Sequence, residues 1–408
     1  MKRLFVILLM LVTMSVNGQW IRQNSGTTNN LWDVYFLNLN TGWACGDTKI
    51  YKTTNGGKNW VTQLTPAQNY ISQIHAVDSN IVYAAGWFTF LKTTNGGTNW
   101  IGIMAGTFGS GLPVFEGLYF LNANTGWLCG SLYNYKTTNG GLTFDSVFVD
   151  AELTDIYFKN ELEGICSGEY NIQRTTNGGF SWYDIILPWQ WQETFLRVSF
   201  YNDLTGFVVG GGGITLKSTD FGISWDSVGR VITDRQIYSS IFTSENIGYA
   251  GGSFGVFFKT TNGGRNWGFQ DTNGLGRGYI KSFWAYNDSI LWAVGGGGKI
   301  LHTTTGGQWL VGINNITTEV PKGFVLYQNY PNPFNPTTNI KFSIVNSGDV
   351  KLVVYDIQGR EVQTLVNESL KPGTYEAAFD GSALNSGVYF YKLVTGNFTE
   401  TKKMLLVK

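Results

Sequence analysis

A nine-residue phrase that returns along the chain constrains the fold of this 408-residue sequence more than any other feature. It reads KTTNGGKNW from Lys52, and related copies start at Lys92, Lys136, Arg174, Lys217, Lys259 and His302. The seven starting positions are 38 to 44 residues apart. Each copy follows an apolar run such as LWDVYFLN and a short segment such as GWACG, with no apolar stripe of helical period. A period near 40 residues with several short strands per unit is typical of a propeller or a solenoid.

Each repeat is predicted to form four antiparallel strands, A to D in chain order. Strand A is of the DVYF type, strand B of the GWACG type and strand C of the IYKTT type, and strand D starts at the closing aromatic residue. Seven such units favour a closed ring with only short edges. The expected fold class is therefore all-β, a seven-bladed β-propeller over residues 19–315. Two segments compete to complete the ring, residues 20–23 (WIRQ), which resemble residues 60–63 (WVTQ), and residues 309–311 (WLV).

The TTNGGxxW segment resembles the Asp-box, the BNR-type repeat of sialidases, sortilin-like receptors and photosystem II assembly-factor propellers. The copy at residues 218–225, STDFGISW, matches S-x-D-x-G-x-T-W closely. In this interpretation a short Asp or Asn side chain caps backbone N–H groups of a tight hairpin, and the following Gly takes a positive φ. The expected capping residues are Asn55, Asn95, Asn139, Asn177, Asp220 and Asn262. The resemblance predicts fold more than function, because one fold carries many activities.

Alternating strand direction divides the loops between two rims of the ring. The D–A and B–C connections share one rim, which we call the loop-rich rim, and the Asp-box hairpins lie on the other. Variable loops on a rigid scaffold commonly carry binding function. We expect a platform for a sugar or a peptide on the loop-rich rim, formed by Trp87, Phe88, Trp189 and Trp191. The alternative is that these rings pack between neighbouring blades.

Strand A is expected to line the central channel. Alignment of the repeats places four polar residues in one column near the loop-rich rim, namely Asp33, Gln73, Asp155 and Arg197. This column is a candidate site for a polar ligand, and simple solvation in the channel is the alternative. Glycoside hydrolysis needs two carboxylates ~5–9.5 Å apart. Asp33 and Asp155 lie three units apart in the sequence, so no catalytic residue is assigned.

Charge and cysteine usage exclude several classes of function. The 28 basic and 28 acidic residues give no net charge, which argues against a nucleic-acid partner. Cys45 and Cys129 share one repeat position, and Cys166 lies one residue out of register in a third repeat. Other repeats hold Ala or Val there, so the position is a small apolar core slot. With no phosphate loop, catalytic triad or metal-ligand spacing, no cofactor and no metal are expected.

The start of the chain has the features of a processing signal. Lys2 and Arg3 precede an apolar segment, residues 4–12, that is too short to span a bilayer as a stable helix. Residues 16–18 (VNG) suit signal-peptidase cleavage, so residues 1–18 are predicted to be a signal peptide, with a membrane anchor as the alternative. No other stretch reaches ~18 continuous apolar residues, so no transmembrane segment is expected in the mature chain.

Composition changes near residue 322. All 15 Trp lie before residue 310, whereas five of the eight Pro lie after residue 320. Residues 316–322 are predicted to be a linker. Segments of period 2 separated by turn signals then predict a small Ig-like β-sandwich over residues 323–408.

The tail closely resembles the type A C-terminal sorting domain of the Type IX secretion system of Bacteroidetes and their relatives. The matching segments are YPNPFNP (330–336), VYDIQGR (354–360), GVYFYKL (387–393) and KKMLLVK (402–408). The residues of the motif are Pro331, Asn332, Pro333, Phe334, Gly387, Tyr389 and Lys403. The resemblance implies entry to the periplasm by the signal peptide, then transfer across the outer membrane by the Type IX machinery. A carbohydrate-binding sandwich is the alternative.

The function expected from the sequence is non-catalytic binding by a secreted or surface-displayed propeller, with a glycan or a protein as ligand on the loop-rich rim. One alternative is a glycoside hydrolase, sialidase-like or acting on polysaccharides, related to the Asp-box propellers. Another is an assembly factor for a membrane complex, which the resemblance to photosystem-related propellers implies.

Overall fold

A computed structural model gives the architecture of most of the chain. It describes residues 20–102, 113–169, 171–187, 194–230, 236–270, 278–307, 309–310, 313–317, 320–381, 384–396 and 398–407. Their regular structure is β-strand apart from two short 3-10 turns, Gly211–Gly213 and Ser253–Gly255. The predicted signal peptide, residues 1–18, lies outside the described residues.

The strands up to the fourth repeat unit are β1 (Ile21–Gln23), β2 (Asp33–Phe36), β3 (Gly42–Gly46), β4 (Lys49–Thr53), β5 (Val61–Gln63), β6 (Ile71–Ala76), β7 (Val82–Gly86), β8 (Thr89–Thr93), β9 (Ile101–Gly102), β10 (Phe115–Phe120), β11 (Gly126–Thr137), β12 (Asp145–Phe158), β13 (Gly164–Gly168), β14 (Ile172–Thr175) and β15 (Tyr183–Asp184). The later strands are β16 (Phe195–Phe200), β17 (Gly206–Gly210), β18 (Ile214–Ser218), β19 (Asp226–Arg230), β20 (Ile237–Phe242), β21 (Gly248–Gly252), β22 (Phe257–Thr260), β23 (Gly268–Gln270), β24 (Ile280–Ala285), β25 (Leu291–Gly295), β26 (Lys299–Thr303), β27 (Trp309–Leu310), β28 (Ile313–Thr317), β29 (Val325–Leu326), β30 (Thr337–Ile344), β31 (Gly348–Tyr355), β32 (Glu361–Leu370), β33 (Gly373–Asp380), β34 (Gly387–Thr395) and β35 (Phe398–Leu406).

Antiparallel pairing groups β1 to β26 into seven four-stranded units. Units three and four are continuous, because the first half of β12 pairs with β11 and its second half with β13. Leu132, with φ of 66°, divides β11 into two strand segments. The first strands of successive units contact one another in order, and β24 contacts β2. The prediction of an all-β propeller is confirmed.

Burial explains why these segments become strands. The second strand of each unit lies between two neighbours in its sheet, and every residue of β3 and β7 is buried. The fourth strand is an edge, and in β5 the side chain of Val61 is 66% exposed. Cys45, Cys129 and Cys166 are fully buried free thiols in second strands, in agreement with the predicted packing role.

The N-terminal strand closes the ring. Ile21 and Gln23 of β1 pair with His302 and Ile300 of β26, so residues 20–23 supply the fourth strand of unit seven. Trp20 is 1% exposed, and its ring lies 4.6 Å from that of Phe257. The competing segment extends unit six instead, because β27 pairs with β23. This choice between the two segments was open in the sequence.

The Thr-Asn-Gly-Gly turn between the third and fourth strands is held by its own side chains. In unit one, Thr53 Oγ1 accepts from Gly57 N at 2.9 Å, and Asn55 Oδ1 accepts from Asn59 N at 3.0 Å. The same Oδ1 contact, at 2.9–3.0 Å, recurs at Asn95, Asn139, Asn177, Asp220 and Asn262. Gly56 and Gly57 have φ of 70° and 84°, values that favour glycine. The Asp-box interpretation of this geometry stays a prediction.

Neighbouring units are joined at these turns. Lys52 Nζ donates to Gly96 O of the next turn at 2.7 Å and lies 5.1 Å from the centre of the Trp43 ring. Lys92 repeats the arrangement, with its Nζ 3.0 Å from Gly140 O. The Lys that begins most copies of the repeat is therefore an inter-unit clamp, which accounts for its recurrence in the sequence.

The C-terminal region is a sandwich of two four-stranded sheets, β28-β33-β30-β29 and β32-β31-β34-β35. The two sheets share one core, in which Phe342, Leu352 and Tyr391 are fully buried. The boundary differs from the predicted one. Ile313–Thr317 pairs with β33, so a segment assigned partly to the propeller and partly to the linker is an edge strand of the sandwich. The segment reads INNIT, with two Asn between two Ile. This pattern is too short to distinguish a strand of the sandwich from the end of the propeller.

Among the described residues, no helix combines the length and the apolar character needed to cross a bilayer.

Candidate functional site

Four predicted channel residues meet, together with Ser282, in what we call the polar layer. Arg197 Nη2 lies 3.3 Å from Asp33 Oδ1, and Arg197 Nη1 donates to Ser282 Oγ at 2.6 Å. Ser282 Oγ donates to Asp33 Oδ1 at 2.5 Å. Because Arg197 belongs to unit five and its partners to units one and seven, its side chain crosses the channel. The other two members are Gln73 and Asp155.

The polar layer also ties adjacent units together through the backbone. Asp33 Oδ2 accepts from Ile74 N, and Asp155 Oδ2 accepts from Val198 N, both at 3.0 Å. Gln73 Nε2 donates to a backbone carbonyl of unit three at 2.6 Å. Both carboxylates thus hold the first strand of the following unit. Within the described residues, no three His, Cys, Asp or Glu side chains gather in a way that would hold a metal ion.

Asp155 should give the propeller a measurable pH dependence. Burial raises its pKa from 3.8 to about 6, while Arg197 and the N–H of Val198 oppose that rise. The folded chain therefore keeps this proton to a higher pH than the unfolded chain does. Its contribution to the free energy of unfolding is largest below about pH 4 and falls by about 3 kcal/mol as the pH rises through 6.

The measurement compares urea denaturation of the wild type with that of Asp155→Asn, which keeps an oxygen acceptor for Val198 N. We expect the variant to gain stability relative to the wild type as the pH rises from about 4 to about 7. A difference between the two proteins that stays constant over this range would contradict the assignment.

Two adjoining cavities, of about 480 and about 400 Å³, lie in the channel beyond the polar layer. The lining of the larger one extends to Val77 and Leu121, and that of the smaller one to Tyr201 and Asn287. These four residues follow the first strands of their units, on the side of the A–B turns. The cavities therefore approach the rim of the Thr-Asn-Gly-Gly turns, opposite to the loop-rich rim.

A β-bulge adds a second set of residues at the loop-rich mouth of the channel. In units two to seven, the pairing of the first two strands shifts by one residue just before the polar-layer position. A bulge leaves its extra residue unpaired and re-aims the side chain. The extra residues whose side chains the structure describes are Ser72, Glu116, Thr154, Tyr238 and Lys281, and Trp32 holds the same position in unit one.

The sequence analysis missed this set, because strict strand alternation predicts that it faces away from the channel. A signal was present. The alignment column before Asp33 mixes aromatic, acidic and basic residues, whereas a column that only packs between blades is uniformly apolar.

Five aromatic rings, which we call the rim cluster, follow the loop-rich mouth without interruption: Tyr238, Tyr279, Trp32, Tyr70 and Trp87. Successive ring centres are 5.4 to 6.4 Å apart. The rings come from units six, seven, one and two, so the cluster spans four units. Tyr70 and Trp87 are each 46% exposed. Exposed apolar surface of this kind is common at binding sites, so these rings make the loop-rich mouth a candidate site.

Lys281 carries a positive charge into the rim cluster. Its Nζ lies 5.2 Å from the centre of the Trp32 ring and 5.1 Å from that of Tyr238. Burial lowers the pKa of Lys281, and the charge of Glu116 opposes that effect. Lys281 makes no hydrogen bond or ion pair with any residue that the structure describes. Its ammonium group therefore has donors free for an external acceptor.

Glu116 is the acidic counterpart at the same mouth. Trp87 Nε1 donates to its Oε1 at 3.4 Å. Burial raises the pKa of Glu116, and the charge of Lys281 and the Trp87 indole oppose that rise. One acid and one base thus face each other across the channel mouth.

Two of the four predicted platform residues lie on the loop-rich rim. Trp87 belongs to the rim cluster, and Phe88 beside it is 45% exposed with φ of 51°. Leu132 and Phe254 occupy the corresponding turns at φ of 66° and 55° and are also exposed. Bulky residues in the left-handed region cost about 1–3 kcal/mol each, and such strain collects at functional sites. Trp189 and Trp191 lie outside the described residues.

The tail decides the question of export. Residues 328–408 match the family described as the secretion system C-terminal sorting domain. The sorting-domain prediction is confirmed. The presence of this Type IX sorting domain indicates export to the cell surface or secretion. No curated protein matches the chain in sequence.

The residues of the sorting motif brace the last strand of the sorting domain. Phe334 is 2% exposed, and its N–H donates to Leu405 O at 2.9 Å. Asn332 Oδ1 accepts from Leu405 N at 3.0 Å, which fixes the loop and β35 together. Tyr389 lies in the core and donates to Asn385 O at 2.8 Å. The other members of the motif are Pro331 and Pro333 in the loop, Gly387 in β34 and Lys403 in β35.

Solved propellers resemble the repeat region in fold. YCF48 bound to D1 peptide is 16% identical, with a TM-score of 0.60 over 70% of this chain and 97% of its own. YCF48 from Cyanidioschyzon merolae gives the same identity and TM-score, with 98% of its own chain covered. The extracellular domain of the one-component system BT4673 from B. thetaiotaomicron is 12% identical, with a TM-score of 0.57, and matches 95% of this chain over 59% of its own length. At these identities the likeness concerns the fold alone.

Proposed function

We propose that this exported propeller is a non-catalytic receptor whose loop-rich rim binds an acidic segment of a partner protein. The observation that carries the proposal is the Lys281 ammonium group, held between two rings of the rim cluster and without an acceptor among the residues that the structure describes. The sorting domain supports a site of action outside the outer membrane. The predicted signal peptide, residues 1–18, supplies the first export step in this scheme.

The rim cluster supplies the apolar part of the binding energy. Exposed Tyr and Trp side chains offer large contact areas at low entropic cost, and they are enriched at binding hot spots. The rim cluster extends over four units of the propeller. A surface of that length suits an extended peptide better than a compact small molecule. A carboxylate of that chain would pair with Lys281, and a charge-assisted hydrogen bond is stronger than a neutral one.

The YCF48 structure shows a related ring with a peptide bound, which supports a peptide as the ligand class here. An acidic peptide also suits the imbalance in hydrogen bonding at the mouth. Glu116 has a partner in the Trp87 indole, whereas Lys281 has none in the part of the chain that the structure describes. The group at the mouth that still needs a hydrogen-bond partner is therefore a donor. A ligand would satisfy it with an acceptor such as a carboxylate.

Binding of a labelled hexaglutamate peptide to the mature protein tests the proposal. We expect Lys281→Met to weaken binding at least about tenfold, because a hydrogen bond to a charged group is lost. Lys281→Arg should keep part of the affinity. Affinity should fall with added salt, since the attraction is screened.

Lys341→Met is the matched control, because Lys341 also lies over an aromatic ring, 5.4 Å from the centre of Tyr327, but in the sorting domain. The affinity of Lys341→Met for hexaglutamate should equal that of the wild type. Absence of hexaglutamate binding, or equal affinity in Lys281→Met, would overturn the proposal. Binding of oligogalacturonate in place of hexaglutamate would keep Lys281 as the anchor and replace the peptide by an acidic glycan.

The proposal assigns no catalytic residue, because Asp33 and Asp155 are engaged with backbone N–H groups of the next units. Glycoside hydrolysis stays the second prediction, and turnover of sialosides or polysaccharides that disappears in Asp155→Asn would establish it. The assembly-factor alternative predicts a partner enriched from outer-membrane extracts by the wild type and not by Lys281→Met.

A further inference from the structure

We infer that the channel holds a second binding site, for a short uncharged saccharide, on the far side of the polar layer from the loop-rich rim. The inference stands apart from the proposed function, because it concerns different residues and the opposite rim. Its basis is the larger of the two channel cavities.

An arc of rings forms the wall of that cavity. Tyr35, His75, Tyr119 and Tyr157 stand at one position of four consecutive first strands, with successive ring centres 4.8, 5.2 and 5.2 Å apart. Neighbouring rings are inclined by 42° to 65°. The rings therefore cover one another's faces in part and present polar edges to the cavity. The contacts between the rings show that His75 and its neighbours also pack against one another along the channel wall.

The three tyrosine hydroxyls of this arc stay outside the hydrogen bonds that the described residues make with one another. Tyr35, Tyr119 and Tyr157 make no side-chain hydrogen bond with any described residue, and none of their hydroxyl oxygens is among the sealed polar atoms without a partner. Burial raises the pKa of Tyr119, and the neighbouring hydroxyls of Tyr157 and Tyr35 raise it further. All three tyrosines line the larger cavity, and burial, which raises the pKa of each, keeps their hydroxyls protonated. Each offers one donor and two acceptor positions.

The wall carries no net charge to recruit an ion. Burial lowers the pKa of His75 to about 4, although a hydrogen bond to the Phe120 backbone opposes that shift. Its imidazole is therefore neutral at neutral pH and keeps one ring nitrogen as an acceptor. At the floor, the Arg197 guanidinium is paired with Asp33. Asp155 accepts from Val198 N. A negatively charged ligand would lose hydration there without gaining an unpaired positive charge, because Arg197 is already paired with Asp33.

A saccharide fits this chemistry better than other small ligands. Its hydroxyl groups act as both donors and acceptors, as the tyrosine hydroxyls do, and its C–H faces pack on ring edges. The two cavities share Tyr35, Tyr157, Arg197 and Val198 in their linings, so they adjoin. Each volume, about 480 and about 400 Å³, lies within the range of about 300–1,000 Å³ typical of small-ligand sites.

Calorimetry on the mature full chain tests the site with cellobiose, maltose, lactose and chitobiose at millimolar concentrations. We expect at least one disaccharide to bind. Tyr119→Phe and Tyr157→Phe, which remove only a hydroxyl from each ring, should each weaken that binding about five- to tenfold. Thermal denaturation of each variant should match the wild type, because the ring contacts remain.

Two controls separate this site from the rim and from general effects on folding. Tyr51→Phe removes a hydroxyl from a buried tyrosine of unit one that does not line either cavity, and it should leave affinity unchanged. Lys281→Met should also leave saccharide affinity unchanged, and the two tyrosine variants should leave hexaglutamate affinity unchanged. The inference fails if none of the four disaccharides binds, or if both tyrosine variants bind as the wild type does. Tighter binding of glucuronate than of glucose would show that the site prefers a charged ligand and would also overturn it.

Discussion

Replacing Trp20 by alanine should lower the free energy of unfolding of the propeller by about 3–5 kcal/mol. Trp20 is 1% exposed and packs on Phe257 and Tyr249, with ring centres 4.6 and 6.1 Å away. It immediately precedes β1, the N-terminal strand that pairs with β26, and holds that strand in place. The loss therefore combines a cavity in the core between units six and seven with a weaker closure of the ring.

Tryptophan fluorescence during urea denaturation measures this effect, because all 15 Trp lie before residue 310 and report on the propeller rather than on the sorting domain. Ile21→Ala is the matched control. Ile21 lies in the same strand but is 64% exposed, so its loss should change stability by no more than about 0.5 kcal/mol. Equal stability losses in Trp20→Ala and Ile21→Ala would show that the closing strand adds little to the ring.

Ending the chain after residue 310 should abolish delivery to the cell surface. The propeller should still fold, and it should remain in the periplasm. This cut removes the sorting domain together with β28, its edge strand. A cut after residue 322 should also abolish delivery, but it leaves Ile313–Thr317 without the strand it pairs with. An unpaired strand invites aggregation, so the longer truncation should be the less soluble of the two.

Protease accessibility on intact cells, followed by fractionation, measures delivery. Phe334→Ala in the full chain provides a finer test, because it removes a ring that is 2% exposed and braces the loop against β35. We expect most surface signal to be lost in that variant. Val394→Ala, at a position 37% exposed in β34, is the control and should be delivered normally. Normal surface delivery of the chain ending at residue 310 would refute the sorting role of the tail.

The repeat made most of the fold predictable. Because side chains on a strand alternate between two faces, the alignment of seven copies also identified the channel column that includes Asp33 and Arg197. The alignment does not show which residues of different units come into contact across the channel. Nothing in the order of residues indicates that Arg197 reaches across the channel to Ser282, since the two are in units that are not adjacent.

The rest of the candidate site was missed for two physical reasons. The bulge that turns Glu116 and Lys281 toward the channel mouth breaks the alternation on which the prediction relied. The cavity near Tyr119 is lined by residues from the first strands of several units, so its shape depends on how whole units are placed around the channel. Loop variability directed the prediction to one rim only, so the opposite side of the channel received no candidate ligand.

The pairing of Ile21 with His302 has a consequence for the biogenesis of this protein. During synthesis, β1 emerges from the ribosome nearly 300 residues before β26, the strand with which it pairs. Closure of the toroid is therefore the last step of its folding, whatever the order in which the intervening sheets form. Contacts so distant in sequence form slowly. Until then unit seven lacks its outer strand, and the hydrophobic surface that Trp20 later covers is open to chaperones and to misassembly with other nascent chains.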